Sequence, residues 1–129
     1  MKDFKTTYFF LRLPIAISIL GHGLVRLPKL STFSDWMVTS MEKSFIPEPL
    51  IVGFSYVLPI AEFLVGLWLL IGIKSREAIF AAISIMTMLI FGSCSIENWG
   101  AIEAQLLHAF YLFGLLWYFQ KYGENLTSK

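Results

Sequence analysis

The stretch Leu50-Ile51-Val52-Gly53-Phe54-Ser55-Tyr56-Val57-Leu58-Pro59-Ile60-Ala61-Glu62-Phe63-Leu64-Val65-Gly66-Leu67-Trp68-Leu69-Leu70-Ile71-Gly72-Ile73 carries one charged side chain, Glu62, in an otherwise apolar run. At about 1.5 Å of rise per residue, a helix needs roughly 20 such residues to cross about 30 Å of hydrocarbon, and this run supplies them. Outward from it lie three further runs of like character, Tyr8–Leu27, Ala78–Ile96 and Ile102–Gln120. Only Lys74-Ser75-Arg76-Glu77 separates the second run from the third, and only Glu97-Asn98-Trp99-Gly100-Ala101 the third from the fourth. Connections so short join helices that turn back on one another. The expected fold is all-α, a single-domain integral membrane four-helix bundle with antiparallel neighbouring spans.

Composition agrees. The chain has 129 residues, of which 57% are hydrophobic and 15% charged. Soluble domains of this size bury only about 60 to 70% of their chain surface, so water would meet a sticky exterior that lipid would not. A formal net charge of +1 supplies no basic face for nucleic acid. The single cysteine, Cys94, excludes an internal disulfide or a C-x-x-C pair. Met1-Lys2-Asp3-Phe4-Lys5 ahead of an apolar run resembles a signal peptide, but no small-residue cleavage site follows, so the run reads as a retained first span.

Four spans put both termini on one side. Lys2, Lys5, Arg12, Lys74, Arg76, Lys121 and Lys129 fall on that side, against Arg26, Lys29 and Lys43 on the other. The positive-inside rule then predicts cytoplasmic termini. Trp36, Trp99, Trp117, Tyr8, Tyr118 and Tyr122 stand near span ends, as interfacial aromatic belts do. The remaining connection, Pro28 to Pro49, mixes polar residues and prolines with Trp36, Met37, Phe45 and Ile46, and is expected to be interfacial or partly re-entrant.

Charged groups inside apolar spans need partners or water. Arg12, His22 and Arg26 lie in the first run within about an 80° arc at the helical repeat. His22, Glu62 and His108 come to similar depth, about 21, 16 and 18 Å from the cytoplasmic end, at the rise of a helix. A polar pocket built by His22, Arg26, Glu62, Gln105 and His108, open toward the non-cytoplasmic side, is the expectation. Plainer readings compete with it. Arg12 would snorkel to headgroups, Arg26 and Lys29 would anchor at the interface, and either histidine would simply join two helices. Glu62, with apolar flanks on both sides, would form a structural ion pair with Arg12 or Arg26. The histidines and Glu62 sit on three helices without metal-ligand spacing, so no metal site is expected. Bis-histidine haem ligation by His22 and His108 is a minor option, since redox-inactive bundles share that pattern.

At Arg12, His22-Gly23-Leu24-Val25-Arg26-Leu27, and Ala61-Glu62-Phe63-Leu64-Val65-Gly66-Leu67-Trp68-Leu69-Leu70-Ile71-Gly72-Ile73 with Arg76, the sequence resembles the DoxX family of small four-helix membrane proteins. Beyond Arg76 the likeness continues by hydropathy only. Two departures stand out: Arg26 where the family pattern has Lys, and Lys121-Tyr122-Gly123-Glu124-Asn125 in place of a Gly-rich, Asp-containing tail. The resemblance implies a four-helix bundle and, for some members, association with membrane redox complexes, among them a quinone-linked thiosulfate oxidoreductase and thiol or oxidative-stress systems. More distant relatives look like chaperones or cargo receptors. The matching positions are Arg12, His22, Arg26, Glu62 and Arg76.

The leading expectation is an accessory or quinone-interacting subunit of an inner-membrane oxidoreductase, in which the His, Arg and Glu cluster binds a quinone head or relays a proton. Its partners would be the bilayer and either other membrane subunits or further copies of the chain. The competing class is a non-catalytic assembly factor or structural subunit whose cluster only locks the helices. A small transporter fits less well, because four short spans leave little room for alternating access.

Overall fold

The structure, a computed structural model, describes residues 3–123. Lys2, Lys129 and the Glu124-Asn125 end of the tail lie outside them. Helices α1 (Phe4–Arg26), α2 (Leu30–Ser40), α3 (Glu48–Ile71), α4 (Ser75–Ser95) and α5 (Trp99–Tyr122), with a 3-10 turn at Leu27–Lys29, take up most of the described residues, among which there is no strand. All four apolar runs are helical, and each helix begins a few residues before the hydropathy rises. First-turn N–H groups have no intrahelical acceptor and favour negative charge, which Glu48 brings to the first turn of α3.

Local chemistry sets the ends. Gly72 closes α3 in the left-handed region at φ 84°, and Lys74 follows at φ 48°, so the Gly72-Ile73-Lys74 corner turns the chain into α4. The Asn98 side chain accepts the Ala101 N–H at 3.3 Å and starts α5.

The Pro28 to Pro49 connection is more ordered than the sequence reading has it. Pro28 lacks an N–H and bends the chain after α1, but the helix resumes at Leu30. Phe33 and Ser34 are the buried face of α2, and the Ser34 and Ser55 hydroxyls hydrogen-bond at 2.6 Å, tying α2 to α3. Leu30, Phe33, Ser34 and Met37 carry the helical spacing that marks this face.

Helices α1 and α3 approach most closely. A Cβ on Gly23 would meet the Pro59 carbonyl oxygen and the Phe63 backbone, and one on Gly66 would meet the backbone of Leu20. Arg12 donates through Nε to the Leu69 carbonyl at 2.9 Å and through Nη2 to that of Leu70 at 3.3 Å. Its guanidinium therefore satisfies the last carbonyls of α3 and lies near the rings of Tyr8 and Phe9, where the sequence reading would send it to headgroups or to Glu62. Helix α5 meets α1 at Tyr111, whose hydroxyl donates to the Leu11 carbonyl, and at Phe4, which stacks on Tyr118.

The bundle is apolar outside as well as in its core, unlike a soluble domain. Phe10, Leu107 and Phe110 are 63, 69 and 74% exposed, while Glu62 is 3% exposed. Among the described residues three stretches are long and apolar enough to cross a membrane: Phe4–Ser40, Glu48–Ile71 and Ser75–Ser95. Helix α5 is as long as α3, but Glu103, Gln105, His108 and its Trp and Tyr residues lower its hydropathy.

Candidate functional site

A cavity of about 990 Å³ runs between the helices, and His22, Arg26, Glu62, Gln105 and His108 all line it. Its wall follows α3 from Leu50 to Glu62, α4 from Met86 to the end, and the first part of α5 as far as His108. The charged and imidazole groups gather in one part of it, near Ile19. The rest is mostly apolar, with Phe33, Trp36, Met37, Phe54 and Met86 beside a few small polar groups such as Ser40, Thr87, Ser93 and Asn98.

Glu62 takes its position from α3, whose apolar neighbours leave its carboxylate no route to an interface. Its partner is Arg26, with Nη1 donating to Oε1 at 2.9 Å. Of the two bases considered for it, Arg12 lies near the other end of α3, against Leu69 and Leu70. The Arg26 guanidinium also stacks over Phe33, 4.4 Å from the ring centroid, so α2 supplies the platform on which the α1–α3 pair rests. Arg26 keeps 26% of its side-chain surface exposed while Glu62 is almost wholly enclosed, so the pair is dry on the carboxylate side.

The two histidine rings meet edge to face, with centroids 6.0 Å apart at 86°. Ser18 joins them: its carbonyl accepts from His22 Nδ1 at 2.6 Å, and its hydroxyl bonds His108 Nε2 at 2.8 Å. Gln105, one turn before His108, leaves Oε1 buried with no hydrogen-bond partner. Arg76, the last position of the family pattern, lies away from the cavity, over the ring of Phe80. Among the described residues no three of His, Cys, Asp and Glu converge as a metal ion would need.

Sequence reasoning missed two members. Ser18 sits one turn before His22, a spacing that places its carbonyl under the imidazole. Phe33 belongs to a helix the reading did not expect. Its apolar periodicity with Leu30 and Met37 is the signal that would have found it.

The arrangement pairs a compensated cation and anion with two hydrogen-bonding imidazole rings in a largely apolar chamber. Ligand sites commonly enclose about 300 to 1,000 Å³ with a few convergent polar groups, and this chamber is at the large end of that range. No family model matches the chain, and neither a curated protein nor a solved structure matches it.

Proposed function

We propose that the chain is a DoxX-like, four-span protein of a bacterial-type inner membrane and serves as an accessory or quinone-interacting subunit of an oxidoreductase. In this reading α5 crosses beside α1, α3 and α4, neighbouring spans run antiparallel, and both termini face the cytoplasm. The apolar exterior supports the medium, since lipid accepts Phe110 and Leu107 where water would not. One observation carries the ligand: the polar cluster stands in one part of a largely apolar cavity large enough for a ring with a hydrocarbon tail.

Purification in mild detergent, followed by organic extraction and chromatography, is expected to recover a quinone with the protein, together with oxidoreductase subunits and no haem band. Recovery of neither quinone nor redox partner would overturn the assignment. The orientation has its own check in Cys94, which is exposed near the end of α4 and on the non-cytoplasmic side in this topology. A membrane-impermeant maleimide is expected to label it in intact spheroplasts. Labelling only after lysis would reverse the orientation.

The second reading, an assembly or structural subunit, draws on the Arg26–Glu62 pair, which joins α1 to α3 directly and needs no ligand to be complete.

A further inference from the structure

The hydrogen bonds around the two histidines fix what the cluster still has to offer. His22 Nδ1 lies 2.6 Å from the Ser18 carbonyl oxygen, and His108 Nδ1 lies 2.9 Å from that of Ala104. A carbonyl only accepts, so each Nδ1 carries the proton, and in the neutral ring each Nε2 is an acceptor. His108 Nε2 already takes the Ser18 hydroxyl proton. His22 Nε2 makes no hydrogen bond among the described residues, although its side chain lines the cavity. Gln105, on α5 and lining the same cavity, adds a buried Oε1 without a partner. His22 is an exposed residue, so its Nε2 is open to a ligand, while the buried Gln105 Oε1 is a polar atom whose lack of a partner calls for an explanation, and a ligand that completes it is one.

Resting on the reading of the cavity as a quinone site, we propose that it selects the reduced form, with a quinol hydroxyl donating to His22 Nε2. Ser18 is the positioning residue: it keeps His108 Nε2 occupied and holds the His22 ring by its Nδ1–H, leaving His22 as the acceptor. The oxidised ring has only carbonyl oxygens, and a carbonyl facing a bare imidazole nitrogen sets two acceptors against each other. Gln105 is indifferent to redox state, because its amide offers a donor or an acceptor by rotating. The quinol is then expected to bind about tenfold more tightly than the quinone, the ratio for one hydrogen bond made against one acceptor left unpaired.

The test titrates the full chain in lipid nanodiscs, without oxygen, with a short-chain benzoquinol and with the matching benzoquinone. Wild type is expected to show the tenfold preference, and His22→Phe, which keeps a flat ring without the acceptor, is expected to bind both forms equally. In Ser18→Ala the preference persists while the His108 imidazole ¹⁵N signals move, a change that loss of packing alone would not produce. The ¹⁵N spectrum of the unmodified protein is an independent measure, expected to show both rings protonated at Nδ1. Equal affinities in wild type, a preference unchanged in His22→Phe, or a proton on His22 Nε2 alone would each overturn the proposal and leave the quinone site standing. Binding of neither form would overturn the quinone site as well.

Discussion

Glu62→Ala is expected to lower the unfolding free energy of the bundle by about 3 to 5 kcal/mol, the usual effect of removing one partner from a buried ion pair. The loss comes less from the missing attraction than from what stays behind. Arg26 would keep its charge on a helix face turned to an apolar cavity, with the Phe33 ring as its remaining neighbour. Its partial exposure lets some water reach it, which places the expected value toward the lower end of that range. Glu62→Gln is the informative companion, because its amide oxygen still accepts from Arg26 Nη1 at nearly unchanged volume. Thermal unfolding in detergent measures both variants. If Gln preserves the transition temperature while quinone retention or the activity of an associated oxidoreductase falls, the carboxylate has a role in the chemistry. If Gln lowers stability and activity together, the structural-subunit reading gains. An unchanged transition for Glu62→Ala would mean that the pair contributes nothing to the fold.

Gly66→Ala and Gly23→Ala are expected to rank with it. A methyl group at either position would overlap backbone atoms of the facing helix: Leu20 in one case, Pro59 and Phe63 in the other. Overpacking usually costs about 1 to 3 kcal/mol, and backbone, unlike a side-chain tip, cannot swing aside, so the upper end or more is expected. The built-in controls are Gly21→Ala and Gly114→Ala, where an added methyl meets nothing within 4 Å. Those two are expected to be neutral or to raise stability by up to about 1 kcal/mol through helix propensity. Because Gly23 and Gly66 lie in one interface, the double variant is expected to fall short of the sum of its parts. Thermal unfolding of the five variants beside wild type in the same detergent checks the set, and a Gly66 variant that behaves like the Gly114 control would contradict the close approach of α1 and α3.

The helices were legible because an apolar run of spanning length has few other conformations available, and Lys74-Ser75-Arg76-Glu77 leaves no length for anything but a turn. The members of the cavity cluster were legible for a related reason: ionisable groups in apolar runs must meet something, and His22, Glu62 and His108 share a depth. What stayed hidden depends on how one helix is set against another. Both Arg12 and Arg26 were candidate partners for Glu62, and the choice follows from the alignment of α1 on α3, which Gly23 and Gly66 settle by their close approach. Sequence marks glycines as packing sites without saying which of them meet, and Gly21 and Gly114 meet nothing. Helix α2 escaped because polar residues and Pro28 mask a short apolar stripe. The Ser18 contribution escaped because half of it is a backbone carbonyl, which every residue has.

Four contacts rivet α1 to α3: Arg12 on Leu69 and Leu70, Leu20 on Gly66, Gly23 on Phe63, and Arg26 on Glu62. All four belong to one alignment, and a slip of a single turn would break every one of them together. These two helices are accordingly a chassis. Any change of shape that accompanies the filling or emptying of the chamber has to come from the walls hung on that frame, and a pump stroke driven by sliding α1 along α3 is foreclosed.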